Sequence, residues 1–113
     1  MKILITGSRH FNDYEQFSEV LSGLPISELI HGGANGADSL GERYARENNI
    51  PSRTFPALWD KYGRRAGYIR NWQMLREGTP DYCVAFLASD SRGTRDMINA
   101  AKEAGLEVEI INI

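Results

Sequence analysis

The spacing of apolar residues changes repeatedly along this chain, and the changes divide it into elements. Lys2–Thr6 carries the apolar run Ile3, Leu4 and Ile5, the pattern of a buried strand. Phe17, Val20, Leu21 and Leu24 recur at helical spacing, so Tyr14–Leu24 is predicted as a helix capped by Asn12 or Asp13. Glu28–His31 is a second short strand. Gly36–Asn49 follows as a helix with Leu40, Tyr44 and Ala45 inward, ended by Asn48-Asn49 and blocked by Pro51. Arg53–Phe55 is a third strand, and Pro56–Arg65 is a long irregular segment. Ala66–Glu77 is a third helix, and Asp81–Leu87 is a continuous apolar strand of the kind covered on both faces. Ser91–Ala104 is a fourth helix with Met97, Ile98 and Ala101 inward and Gly105 as its stop. Glu107–Ile113 is the last strand.

Strand and helix thus alternate from end to end, with connections too long for hairpins. That order predicts a Rossmann-like three-layer α/β/α fold with a five-stranded, mostly parallel sheet joined by right-handed crossovers. With 113 residues, the chain makes one domain, spanning 1–113. No repeat or linker interrupts it.

In such a sheet, ligands bind beyond the carboxyl ends of the strands, near the point where strand order reverses. Four loops are predicted there. Gly7-Ser8-Arg9 follows the first strand, and Gly32-Gly33-Ala34-Asn35-Gly36, leading to Asp38, follows the second. Trp59–Arg65 follows the third, and Ser89–Thr94, with Ser91-Arg92-Gly93-Thr94 opening the next helix, follows the fourth. Three glycines within Gly32–Gly36, between a strand and a helix, read as a tight turn whose backbone meets a ligand. The helix dipole and unpaired amides behind it favour an anion, phosphate above all.

The remaining polar residues each have two readings. Asp38 either complements the helix dipole, holds a ribose hydroxyl or holds a neighbouring loop. Ser91 is either an N-cap or part of a phosphate cradle with Gly93 and Thr94. Arg70-Asn71 stands on a partly covered helix face and is assigned to the site. Trp59 and Tyr62 form either a wall for a nucleobase or a dimer contact. His31 and His10 read as satisfied histidines rather than bases. No spacing suggests a metal site, and no Ser-His-Asp order is convincing.

Composition narrows the partners. The net charge of −2 and a pI of about 5.7 disfavour a duplex-binding protein that relies on bulk charge. Of the 13 basic residues ten are arginine, and Arg9, Arg64, Arg65, Arg70, Arg92 and Arg95 lie beside predicted loops, consistent with a local anion pocket. A single cysteine, Cys83, lies in an apolar run and reads as a buried structural thiol. The amino terminus lacks a signal-peptide layout and no apolar run reaches spanning length, so a cytoplasmic protein is expected, with no membrane partner.

These residues together resemble the SLOG superfamily of Rossmann-like nucleotide-binding domains, specifically its YspA-like branch. The likeness rests on Gly7-Ser8-Arg9, His31–Asp38, Phe55–Gly63, Ala66–Met74 and Arg92–Met97, and so runs essentially end to end. The superfamily includes LOG-type phosphoribohydrolases, the DNA-processing protein DprA and sensors of nucleotide-derived signals. Arg70 and Met74 match the LOG Arg-x-x-x-Met motif, and Gly93-Thr94 match part of Gly-Gly-x-Gly-Thr-x-x-Glu. Met97 stands in place of the catalytic glutamate, and Asp96, about 100° around the helix, is not a simple substitute. A methionine cannot stabilise a sugar cation.

The resemblance implies a module that binds a nucleotide or nucleotide-derived ligand, as a sensor or sequestering protein, without a cofactor. The alternative is a LOG-like nucleoside 5′-monophosphate hydrolase using Arg70 with Asp38 or Asp60. DprA-like nucleic-acid binding is the weaker alternative, which the acidic pI disfavours. The resemblance also implies a homodimer.

Overall fold

The computed structural model describes residues 1–113. Five strands, β1 (Lys2–Gly7), β2 (Glu28–His31), β3 (Ser52–Thr54), β4 (Tyr82–Leu87) and β5 (Glu107–Asn112), form one sheet in the order β3-β2-β1-β4-β5. Every pairing is parallel, so the sheet has no antiparallel edge. Helices α1 (Tyr14–Ser22), α2 (Ala37–Glu47), α4 (Ala66–Gly78) and α5 (Arg92–Glu103) cover it, and α3 (Trp59–Tyr62) is a single turn.

Successive strand residues point to opposite faces, which divides the core in two. Ile3, Ile5, Leu29, Val84 and Phe86 pack with Phe17 and Leu21 of α1 and Tyr44 and Ala45 of α2. Leu4, Ile30 and Cys83 pack on the other side with Met74 and Leu75 of α4 and Met97 and Ala101 of α5. The chain winds outward from β1 through β3, then crosses back under the sheet to β4. The reversal lies between β1 and β4. Burial in the second layer pushes the Cys83 thiol up to about 12, which makes it an inert core side chain.

Several boundaries differ from those read in the sequence. Helix α1 stops at Ser22, because Gly23 takes the cap position, and Asp13 accepts from the Gln16 amide at its start. Helix α2 is shorter at both ends, with Asn49 in the left-handed region at φ 54°. Strand β3 ends before Phe55, whose side chain instead enters the second core layer. The Pro56–Arg65 segment is not irregular: α3 and a 3-10 turn over Gly63–Arg65 run directly into α4. Local hydrogen bonds from the Lys61 and Tyr62 amides to the Leu58 carbonyl make that turn, and no apolar periodicity announces it.

Candidate functional site

The glycine loop after β2 is held almost entirely by the protein itself. The Asp38 carboxylate, in the first turn of α2, accepts from the Gly32 amide at 3.0 Å and the Ala34 amide at 3.2 Å through one oxygen. The Gly33 amide donates to Nδ1 of His31 at 3.0 Å, which leaves the ring proton on Nε2, 2.9 Å from Glu42. Glu42 also accepts from the Ser52 hydroxyl, and hydrogen bonds from His31 and Ser52 hold its carboxyl below the usual range. Arg70 reaches across from α4: Nη1 donates to the carbonyls of Gly32 (2.9 Å) and Phe55 (3.3 Å), and Nε to the Asn71 side-chain oxygen (3.1 Å). One guanidinium therefore ties the loops after β2 and β3 to α4.

The glycines of this loop pack against other protein segments. A Cβ on Gly32 would fall on the Arg70 guanidinium, and one on Gly36 would fall on the Ser8 carbonyl oxygen. The glycines let protein approach protein. Gly32, Gly33, Asn35 and Gly36 do not line the cleft described next. Asp38 likewise serves the neighbouring loop, one of the three roles its position left open.

The free backbone lies at the start of α5. Ser91 does not cap it, because its hydroxyl oxygen accepts from the Ala88 amide instead, at 3.3 Å. The Gly93 and Thr94 amides have no acceptor within the chain, and a Cβ at Gly93 would meet nothing within 4 Å. These two amides open onto a cleft of ≈ 500 Å³ at the carboxyl ends of β1 and β4.

Around that cleft the structure gathers Gly7, Ser8, Arg9, Ala34, Asp38 and Trp59, together with Arg70, Asn71, Ser91, Gly93 and Thr94. The Ser8 hydroxyl oxygen accepts from the His10 amide. Asp60 and Tyr62 are not brought to the cleft. On the one-turn α3, only Trp59 is turned toward it. Arg64 and Arg92 join Arg9 and Arg70 along the cleft, and Asp38, Asp90 and Asp96 also line it.

Sequence reasoning did not assign Thr6, His10, Gly67, Tyr68 or Asp96 to the site. The amphipathic spacing of α5 held the signal for Asp96. Met97 is fully buried in the second core layer, and the roughly 100° step per residue of a helix turns Asp96 onto the cleft instead.

With this geometry in hand, relatives can be placed. The sequence model of the YspA, cpYpsA-related SLOG family matches residues 1–62, more than half of the chain. The chain belongs to that family. It is also 36% identical over 117 residues to the Gene 61 protein of Mycobacterium phage D29, an alignment covering 95% of this chain and 93% of that one. The SLOG-family match spans β1 through α3 and so includes Gly7-Ser8-Arg9, the Asp38-held loop and Trp59. Arg70 and the α5 amides lie beyond it.

Within this SLOG domain, burial pushes the Asp38 carboxyl up, against the opposing pull of His31, the loop amides and Arg70. Its structural role can be separated from its charge. Asp38→Asn keeps one oxygen to accept both amides and is expected to cost no more than about 1 kcal/mol. Asp38→Ala strands the Gly32 and Ala34 amides and is expected to cost about 2–4 kcal/mol. Urea unfolding of the two variants measures the difference. Equal losses would show that the carboxylate is not what holds the loop.

Proposed function

We propose that this protein binds a nucleotide or nucleotide-derived ligand, seating a phosphate on the Gly93 and Thr94 amides at the start of α5, and acts as a sensor or sequestering module. The supporting observation is the pair of unpaired amides at a helix N-terminus, opening onto a cleft that carries four arginines on an otherwise acidic protein. Helix dipole, free N–H groups and guanidinium forks all favour the same kind of group. Membership of the SLOG family supports a nucleotide-related role.

Binding is favoured over turnover by the residue at position 97. The position that carries the glutamate in LOG enzymes is a methionine packed in the core, so no carboxylate projects from it into the cleft. A hydrolase would need Asp38, which is committed to a loop, or another acid.

The test is to denature freshly purified protein, identify released small molecules by mass spectrometry, and titrate the protein with nucleoside mono-, di- and triphosphates. A Gly93→Pro variant removes one of the two amides at the second position of α5, in the first turn, where no intrahelical hydrogen bond is lost. It is expected to fold as wild type and to weaken nucleotide binding about tenfold, in line with loss of one charge-assisted hydrogen bond. Undiminished binding by Gly93→Pro would move the phosphate elsewhere. Release of a free base on incubation would make the protein a hydrolase.

A further inference from the structure

The lining of the cleft is chemically lopsided. Ala34, Trp59 and Tyr68 are its only apolar side chains, and the remaining positions are polar, charged or glycine. The two aromatic rings come from neighbouring segments, Trp59 from α3 and Tyr68 from the first turn of α4. The tip of the indole rests against Gly67, where an added Cβ would stand 3.4 Å from Cη2. The indole thus reaches α4 at Gly67, the residue before Tyr68. Trp59 is nevertheless 57% exposed and Tyr68 58% exposed. An exposed aromatic residue is ordinary on a protein surface. Here two of them supply nearly all the apolar side chains of a cleft that also holds the free α5 amides.

Resting on the phosphate-seat reading above, we infer that Trp59 and Tyr68 form a shelf for the base of the ligand. The site therefore selects phosphorylated nucleosides over sugar phosphates that offer the same phosphate and pentose. A sugar phosphate satisfies the amides and guanidinium groups but leaves both rings in water. An aromatic base adds stacking on π-faces and apolar burial, both of which tolerate any base and favour the larger purines. Arg64 lines the same cleft.

The experiment is calorimetric titration of the protein with the four common ribonucleoside 5′-monophosphates, ribose 5-phosphate and inorganic phosphate. The tightest nucleotide is expected to bind at least about tenfold better than ribose 5-phosphate, the usual range for one stacked base. Trp59→Leu keeps apolar bulk but removes the indole face. It is expected to erase most of that preference while leaving ribose 5-phosphate affinity unchanged. Trp59 and Trp72 are the two tryptophans, so a Trp72→Phe protein reports on Trp59 alone. Its emission is expected to change with nucleotide and not with ribose 5-phosphate.

Equal affinity for nucleotide and ribose 5-phosphate would overturn the shelf and leave the phosphate seat standing. So would a Trp59→Leu variant that weakens both ligands equally, which would give Trp59 a structural role. Trp59 emission that responds only to protein concentration would make the rings a contact between two copies, and the inference would fall. If no phosphorylated compound binds and no nucleotide is released on denaturation, the phosphate-seat reading fails and the shelf with it.

Discussion

Gly36→Ala is expected to cost about 3–5 kcal/mol, a large share of the about 5–15 kcal/mol that holds a domain of this size folded. Two effects add. Gly36 has φ 75° and ψ −127°, a conformation that residues with a Cβ avoid at a cost of about 1–3 kcal/mol. The added methyl would also fall on the backbone of Ser8 and Arg9, where the Ser8 carbonyl accepts hydrogen bonds from both the Phe11 and Ala37 amides. Backbone held by two hydrogen bonds cannot swing aside as a flexible side chain does. The loop after β1 and the start of α2 would have to separate, and Phe11 and Ala37 of the first core layer would move with them. Expression yield and denaturant unfolding, beside a Gly93→Ala control at an unobstructed glycine, measure the effect. A Gly36→Ala protein as stable as the control would show that these two loops do not need their close approach.

Arg70→Ala is expected to lower stability and binding together. Three of its hydrogen bonds go to protein, to the carbonyls of Gly32 and Phe55 and to the Asn71 side chain, and its guanidinium also lines the cleft. Burial pulls the Arg70 pKa down, and Asp38 nearby opposes this, so Arg70 and Asp38 support one another's charge. Loss of the charged hydrogen bonds and the stranding of the Gly32 and Phe55 carbonyls should cost about 2–4 kcal/mol. Loss of a half-buried cation beside a bound phosphate should weaken nucleotide affinity by about ten- to a hundredfold. Arg70→Lys keeps the charge but lacks the planar fork that reaches three acceptors. It is expected to recover more of the binding than of the stability. Urea unfolding and calorimetry on the same three proteins separate the effects. If Arg70→Ala kept full stability, the bridge between the loops would be dispensable. If it kept full affinity, Arg70 would serve the fold alone.

The layered fold was legible in the sequence because it depends on periodicity, and periodicity is local. Ile3-Leu4-Ile5 and Tyr82–Leu87 are apolar on both faces, and the structure covers both faces. Alternation of strands and helices with long connections requires parallel pairing, which every strand pair shows. The loops that gather at the cleft were also legible, since strand direction sends every strand–helix loop to the same edge. The same local order carried the family resemblance, and the family match over residues 1–62 bears it out.

What each polar group does depended on partners far away in the chain. Three glycines within five residues announce a crowded backbone but not what crowds it. Arg70 and the Ser8 carbonyl, which pack against Gly32 and Gly36, stand 38 and 28 positions away in the chain. The Ser91 hydroxyl found the Ala88 amide before its own helix, which left the α5 amides open where a sequence rule would have capped them. Asp60 and Trp59 are adjacent in sequence, yet a turn made by two backbone hydrogen bonds to Leu58 brings only the tryptophan to the cleft. Sequence by itself determined the layers, the edge where the loops meet and the residue types available there. Tertiary structure alone decided which of those residues are consumed in holding the loops and which are left free, because a hydrogen-bonding group committed to one partner is no longer available to another.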